Sequence, residues 1–135
     1  MGLVLIIEDN PVTQEVVAEL ATRRGHRCVT AGNGREGMEA FSRHSFDLVI
    51  TDILMPDQEG LETILAIRRT DTRVPIIAMS GSFSPLEGRT TVDYLNIATA
   101  LGANVQLRKP FSVSQFNHAL DHLFPIDALA VGTGR

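Results

Sequence analysis

Four kinds of polar side chain stand at the ends of short aliphatic runs. Glu8-Asp9 follow Leu3-Val4-Leu5-Ile6-Ile7, Asp52 follows Leu48-Val49-Ile50-Thr51, Ser80 follows Ile76-Ile77-Ala78-Met79, and Lys109 closes the run that carries Val105 and Leu107. Runs of this kind read as strands covered on both faces. Polar groups at the carboxyl ends of neighbouring parallel strands share one crevice. Carboxylates brought together there repel, and they need a cation or raised pKa values to coexist. All the expected ligands are oxygens, so a hard divalent ion such as Mg²⁺ is the natural partner. Together these groups form a set for holding a phosphoryl group. The cation and Lys109 stabilise charge on its oxygens, Ser80 donates a hydrogen bond, and one carboxylate serves as nucleophile.

The elements that must position these residues follow from local signals. Asn10-Pro11 starts a helix, with Asn as N-cap and Pro at the first helical position. Val12, Val16, Val17, Leu20 and Ala21 keep a helical period, and Gly25 is the expected C-cap. His26 to Ala31 reads as a strand with weaker alternation, hence nearer the sheet edge. Asn33-Gly34 turns into a second helix carrying Met38, Ala40 and Phe41. After the Asp52 strand, Met55-Pro56-Asp57 turns the chain. Leu61, Ile64, Leu65 and Ile67 mark a third helix ending near Arg69-Thr70. Ser84-Pro85-Leu86-Glu87 resembles a capping box that Gly88 interrupts. The next helix runs from about residue 90 through Val92, Leu95, Ala98 and Leu101 to Gly102. Ser112 with Gln115 forms a capping box opening a fifth helix with Phe116, Ala119, Leu120 and Leu123, which Pro125 stops. Met79 and Phe116 read as core.

Five strands alternating with five helices predict right-handed βαβ units and an α/β, doubly wound (βα)5 fold. The flavodoxin-like parallel five-stranded sheet, order 2-1-3-4-5, places the first and third strands side by side, so Glu8, Asp9 and Asp52 converge. Residues 1–125 are expected to form this domain and 126–135 a flexible C-terminal tail.

Composition supports this reading and narrows the alternatives. At 135 residues, 44% hydrophobic and 5% aromatic, the chain suits one domain with an aliphatic core. The formal net charge of −4 leaves no electrostatic footprint for nucleic acid or an anionic membrane. Cys28 is the lone cysteine, which excludes an intrachain disulfide. No run approaches the ~18 apolar residues of a membrane span. No signal peptide precedes the first strand, and a cytoplasmic location is expected.

Two motifs compete for attention and lose. Gly32-Asn33-Gly34-Arg35-Glu36-Gly37 matches the dinucleotide pattern Gly-x-Gly-x-x-Gly. It follows the second strand rather than the first and leaves Glu8, Asp9, Ser80 and Lys109 unexplained, so a plain turn is favoured. His118 and His122 form an i, i+4 pair that reads as a solvated face rather than a metal site.

Glu8-Asp9, Asp52-Ile53-Leu54-Met55-Pro56 with Gly60, Ser80 and Lys109-Pro110 resemble the receiver domain of response regulators in two-component signalling. The likeness runs from Leu3 to about Phe124. It implies that Asp52 accepts a phosphoryl group from a sensor histidine kinase or a histidine phosphotransfer protein. It implies that Asp9 and Asp52 ligate Mg²⁺ directly, with Glu8 acting through water and the backbone carbonyl of Leu54 completing the protein ligands. Ser80 senses the phosphoryl group and Lys109 contacts it. A cis peptide before Pro110 is also implied.

The chain departs from the family pattern in four places. Glu8 replaces the commoner aspartate. Gln106 stands where the family often places an aromatic switch residue, so no ring can rotate there. Ser80 to Lys109 spans 29 positions, longer than usual by roughly two helical turns. The extra length falls in Ser82 to Arg89. No effector domain follows, which reads as a stand-alone or excised receiver.

The leading expectation is thus a phosphorylation-controlled switch, not an enzyme acting on a separate metabolite. Its downstream protein partner is unspecified, a homodimer is left open, and no nucleic acid or membrane is bound by this domain. The alternatives are a phosphorylation-independent adaptor and a phosphohydrolase using Asp52. The second usually wants an aspartate where Leu54 stands.

Overall fold

The fold follows from alternation between buried strands and one-sided helices. A computed structural model describes residues 2–53, 59–81 and 94–124, the side chains of Glu59 and Tyr94 excepted. Five elements are strands: β1 (Leu3–Ile7), β2 (Arg27–Ala31), β3 (Leu48–Asp52), β4 (Ile76–Ser80) and β5 (Val105–Arg108). The helices are α1 (Pro11–Arg23), α2 (Gly34–Arg43), α3 (Glu59–Thr70), α4 (Tyr94–Leu101) and α5 (Val113–Leu123). The strands form one parallel sheet in the order β2-β1-β3-β4-β5, as the sequence predicts.

Alternate residues of the inner strands feed two cores. Val4, Ile6, Leu48, Ile50, Ile77, Met79 and Leu107 face α1 and α5, where Val17, Leu20, Phe116 and Leu120 cover them. Leu5, Ile7, Val49, Ile76 and Ala78 face the opposite layer, with Ile64 and Ile67 of α3 and Leu95 and Ala98 of α4. Every residue of β3 and β4 is buried. That burial on both faces is why these strands read as near-continuous aliphatic runs. β2 carries exposed Arg27 and Thr30 and lies at the sheet edge, as its weaker alternation suggests.

The caps are those the local signals specify. Asn10 Oδ1 accepts from the backbone N–H of Val12 and Thr13, with Pro11 behind it. Ser112 and Gln115 form a reciprocal capping box. The C-cap of α1 is Arg24, one residue before the expected Gly25, and Gly25 takes the left-handed φ of 93° immediately after it. Gly102 ends α4 in the same way, at φ 127°. Several expectations lie outside the described residues: the Met55-Pro56-Asp57 turn, the Ser84–Glu87 capping box, the Ser82–Arg89 extension, Val92, the Pro125 stop and the 126–135 tail. Among the described residues no helix is long and apolar enough to cross a membrane.

Candidate functional site at the carboxyl end of the sheet

Parallel pairing of β1 with β3 brings the carboxyl ends of these strands together. Ile7 pairs with Thr51, so Glu8 and Asp52 are neighbours across the ladder. Oxygens of Glu8, Asp9 and Asp52 all lie within 4.8 Å of one another. Glu8 and Asp52 are buried, at 1% and 4% exposure, while Asp9 is exposed. Three carboxylates offering only oxygen donors fit a hard divalent cation.

Lys109 arrives from the far edge of the sheet. Its Nζ donates to Asp52 Oδ2 at 2.7 Å and to Glu8 Oε1 at 2.9 Å. It is the sole lysine of the chain, and the other eleven cationic side chains are arginines. A compact ammonium on a flexible stem can bridge two carboxylates in a space where a guanidinium fork cannot. Its backbone is fixed by a 2.7 Å hydrogen bond from its N–H to the carbonyl of Ser80. The peptide that follows, Lys109–Pro110, is cis, as the family likeness implies.

The charges rearrange the protonation equilibria. Burial pushes the Glu8 carboxyl up from an ordinary 4.5 to about 7, against the opposing pull of Lys109 and the Asn10 N–H. Burial works against the Lys109 ammonium, but its hydrogen bonds and charge attraction to Asp52 and Glu8 outweigh that cost and hold it above its ordinary 10.5.

Two residues of the site were not singled out as contributors by the sequence. The Asn10 N–H donates to Glu8 Oε2 at 3.1 Å, so the N-cap of α1 also anchors the Glu8 carboxylate. Gln14 Nε2 donates to the carbonyls of Glu8 and Ala31 at 3.1 and 3.2 Å. The available signal was position: both stand in the first turn or so after Glu8-Asp9. Gly60 has a similar role by being small. A Cβ there would collide with the Asp52 carbonyl oxygen and the Ile53 Cα, so the first turn of α3 lies directly against the end of β3.

The remaining expected residues fall as follows. Ser80 is the last residue of β4, buried, with its hydroxyl donating to the Gly81 carbonyl at 3.1 Å. Leu54, the expected carbonyl ligand, lies outside the described residues. Gln106 Nε2 donates to Thr99 Oγ1 at 2.8 Å and to Asn96 Oδ1 at 3.1 Å, which ties β5 to α4. His118 and His122 line a groove with Gln106 and Arg108, away from the carboxylates. The glycine-rich turn is capped from within. Asn33 Oδ1 accepts from the Glu36 N–H at 2.8 Å, and Glu36 Oε1 accepts from the Gly32 N–H at 3.0 Å. A carboxylate therefore sits at the donor end of α2 where a phosphate would need to be.

The family model of the response regulator receiver domain matches residues 4–121. The chain belongs to that family. This receiver is 35% identical over 120 residues to a probable C4-dicarboxylate response regulator, DctR, of Bacillus subtilis, a match that takes in 87% of this chain and 50% of that protein. A response regulator receiver domain from Clostridium thermocellum superposes with a TM-score of 0.78 at 25% identity, over 91% of this chain and 94% of that one. The response regulator TrrA of Thermotoga maritima, solved in complex with Mg²⁺ and BeF, superposes with a TM-score of 0.75 at 27% identity, over 91% and 99% of the two chains. The receiver spans half or less of the length of the curated relatives it matches.

Proposed function

We propose that this receiver accepts a phosphoryl group on Asp52 from a sensor histidine kinase or histidine phosphotransfer protein and thereby switches its contacts with a downstream protein. The observation that carries the reading is the bridge from Lys109 to both Glu8 and Asp52, with Asp9 alongside. Such a bridge sets a cation beside the Asp52 carboxylate, where it can stabilise charge on the oxygens of an incoming phosphoryl group. An oxygen of Asp52 attacks phosphorus, and the bond from phosphorus to the donor's imidazole nitrogen breaks. The imidazole leaves with the electron pair and takes a proton from solvent, and Asp52 becomes an acyl phosphate. Lys109 then has a phosphoryl oxygen as partner beside the same carboxylate. The Ser80 hydroxyl turns from the Gly81 carbonyl to donate to another.

Mg²⁺, when bound, neutralises charge on the acids and the transferring group. Asp9 and Asp52 would hold it, with Glu8 through water and the Leu54 carbonyl as a further ligand. With Gln106 in place of a ring, the change is read out through the β5–α4 tie rather than by an aromatic rotation. We further assign residues 1–125 to the receiver and 126–135 to a tail, place the protein in the cytoplasm, and see no role as an enzyme on a separate metabolite.

Incubation with Mg²⁺ and a small phosphodonor such as acetyl phosphate, followed by intact-mass analysis, tests the reading. One phosphoryl adduct that is lost in Asp52→Asn is expected. Absence of any adduct in the unaltered protein would instead point to an adaptor that docks without phosphorylation.

A further inference from the structure

We propose that Gln14 is a positioning residue for the acidic site, acting through the peptide between Glu8 and Asp9. Glu8 lies one residue past the last β1–β2 pair, Ile7 with Ala31. Its N–H still reaches the Ala31 carbonyl at 3.0 Å, but no strand partner remains for its own carbonyl. Gln14 Nε2 supplies that partner at 3.1 Å and spends its other hydrogen on the Ala31 carbonyl at 3.2 Å. Three hydrogen bonds thus close a loop through Glu8, Ala31 and Gln14, fixing both backbone polar groups of Glu8.

The consequence falls on Asp9 more than on Glu8. The Glu8 carboxylate has its own anchors in Lys109 and the Asn10 N–H. The Asp9 carboxylate is exposed and makes no hydrogen bond or ion pair with a described residue, so its location rests on its backbone. A peptide plane is rigid, so holding the Glu8 carbonyl also sets where the Asp9 Cα stands, the point from which its carboxylate reaches the site. Gln14 is rigidly placed for this task, because α1 is capped at Asn10 and its Val17 is buried against the sheet.

The proposal rests on the Mg²⁺ reading for its functional consequence but not for its structural content, and the test separates the two. Gln14→Met keeps the length and helix preference of the side chain and removes both donors. Mg²⁺ binding followed by calorimetry on the full chain, with the metal alone, should weaken about 10-fold, the lower part of the range for groups that orient metal ligands. In chelator, hydrogen exchange of the Glu8 amide, which is bonded to the Ala31 carbonyl, should quicken while exchange in β3 and β4 stays unchanged, a local pattern that a general loss of stability would not give. Gln14→Ala repeats the test should the thioether crowd the strand ends. Unaltered exchange at Glu8 together with unaltered Mg²⁺ affinity in both variants would overturn the proposal. If the unaltered protein shows no Mg²⁺ binding, the metal reading falls, and the Glu8 exchange rate alone decides the role of Gln14.

Discussion

Glu8 Oε1 and Lys109 Nζ meet at 2.9 Å although 101 positions separate them in the chain. Glu8 is 1% exposed, and burial raises its carboxyl to about 7 even with an ammonium at hand. The folded protein therefore holds a proton on Glu8 that the unfolded chain has lost, over the interval between about 4.5 and about 7. In that interval the native state binds more protons than the unfolded state, so the contribution of Glu8 to stability falls as pH rises. Above about 7 it levels off. Lys109 adds no slope until alkaline pH, because its raised pKa keeps it charged in both states below its ordinary 10.5. Urea midpoints in chelator at pH 5, 6, 7 and 8 should fall relative to those of Glu8→Gln and then run parallel to them. A difference that grows in favour of the unaltered protein across this range would contradict the raised value.

Replacing Lys109 by Met removes the one ammonium that faces both Asp52 and Glu8. Phosphoryl uptake from a small donor should slow by about 10²- to 10³-fold, the effect expected when a group stabilising transition-state charge is lost. Initial rates of adduct formation by mass spectrometry check this. A rate within threefold of the unaltered protein would remove Lys109 from the chemistry.

The solitary lysine also gives a direct probe of the bridge. Acylation needs a neutral amine, and Lys109 is held protonated, only 20% exposed, between two carboxylates. At pH 8 an amine-reactive ester should add one acyl group, at the chain's α-amino terminus, whose ordinary pKa is about 7.7–8.0. A second should appear only in denaturant, or faster in a Glu8→Gln, Asp52→Asn double variant. Rapid double labelling of the native protein would show that Lys109 is not held as described.

Gly60→Ala places a methyl group against the Asp52 carbonyl and the Ile53 Cα, both backbone atoms that cannot swing away. The first turn of α3 must back off from the end of β3. Overpacking of this kind costs about 1–3 kcal/mol, and phosphoryl uptake at Asp52 should slow because its backbone shifts. Chemical denaturation and the same adduct assay measure both effects. An unchanged denaturation midpoint would mean that α3 does not press on β3.

Gln106→Leu removes the hydrogen bonds to Thr99 and Asn96 while keeping the side chain's bulk. Two exposed hydrogen bonds amount to about 0.5–1.5 kcal/mol each at most, so the fold should survive. Amide exchange along α4, residues 95–101, should quicken, with phosphoryl uptake at Asp52 unaltered. Equal exchange in the two proteins would show that the amide does not hold α4 to β5.

Much of this protein is legible in its sequence because the signals are local. The aliphatic runs of β1, β3 and β4 announce strands buried on both faces, and Asn10-Pro11 and Ser112 with Gln115 announce helix starts that depend on neighbours only a few residues away. The placement of Glu8, Asp9, Asp52, Ser80 and Lys109 at strand ends follows from the same runs. What the sequence could not supply is who touches whom. The bridge from Lys109 to Glu8, the amide of Gln14 on the Glu8 carbonyl, the tie from Gln106 to Thr99 and the pressure of Gly60 on β3 arise only when strand order and register set distant backbones side by side. A hydrogen bond is decided by tenths of an ångström, and a residue pattern specifies position to about one 3.3 Å step along a strand. The acids were therefore readable as neighbours, but the partners that position them had to await the packed chain.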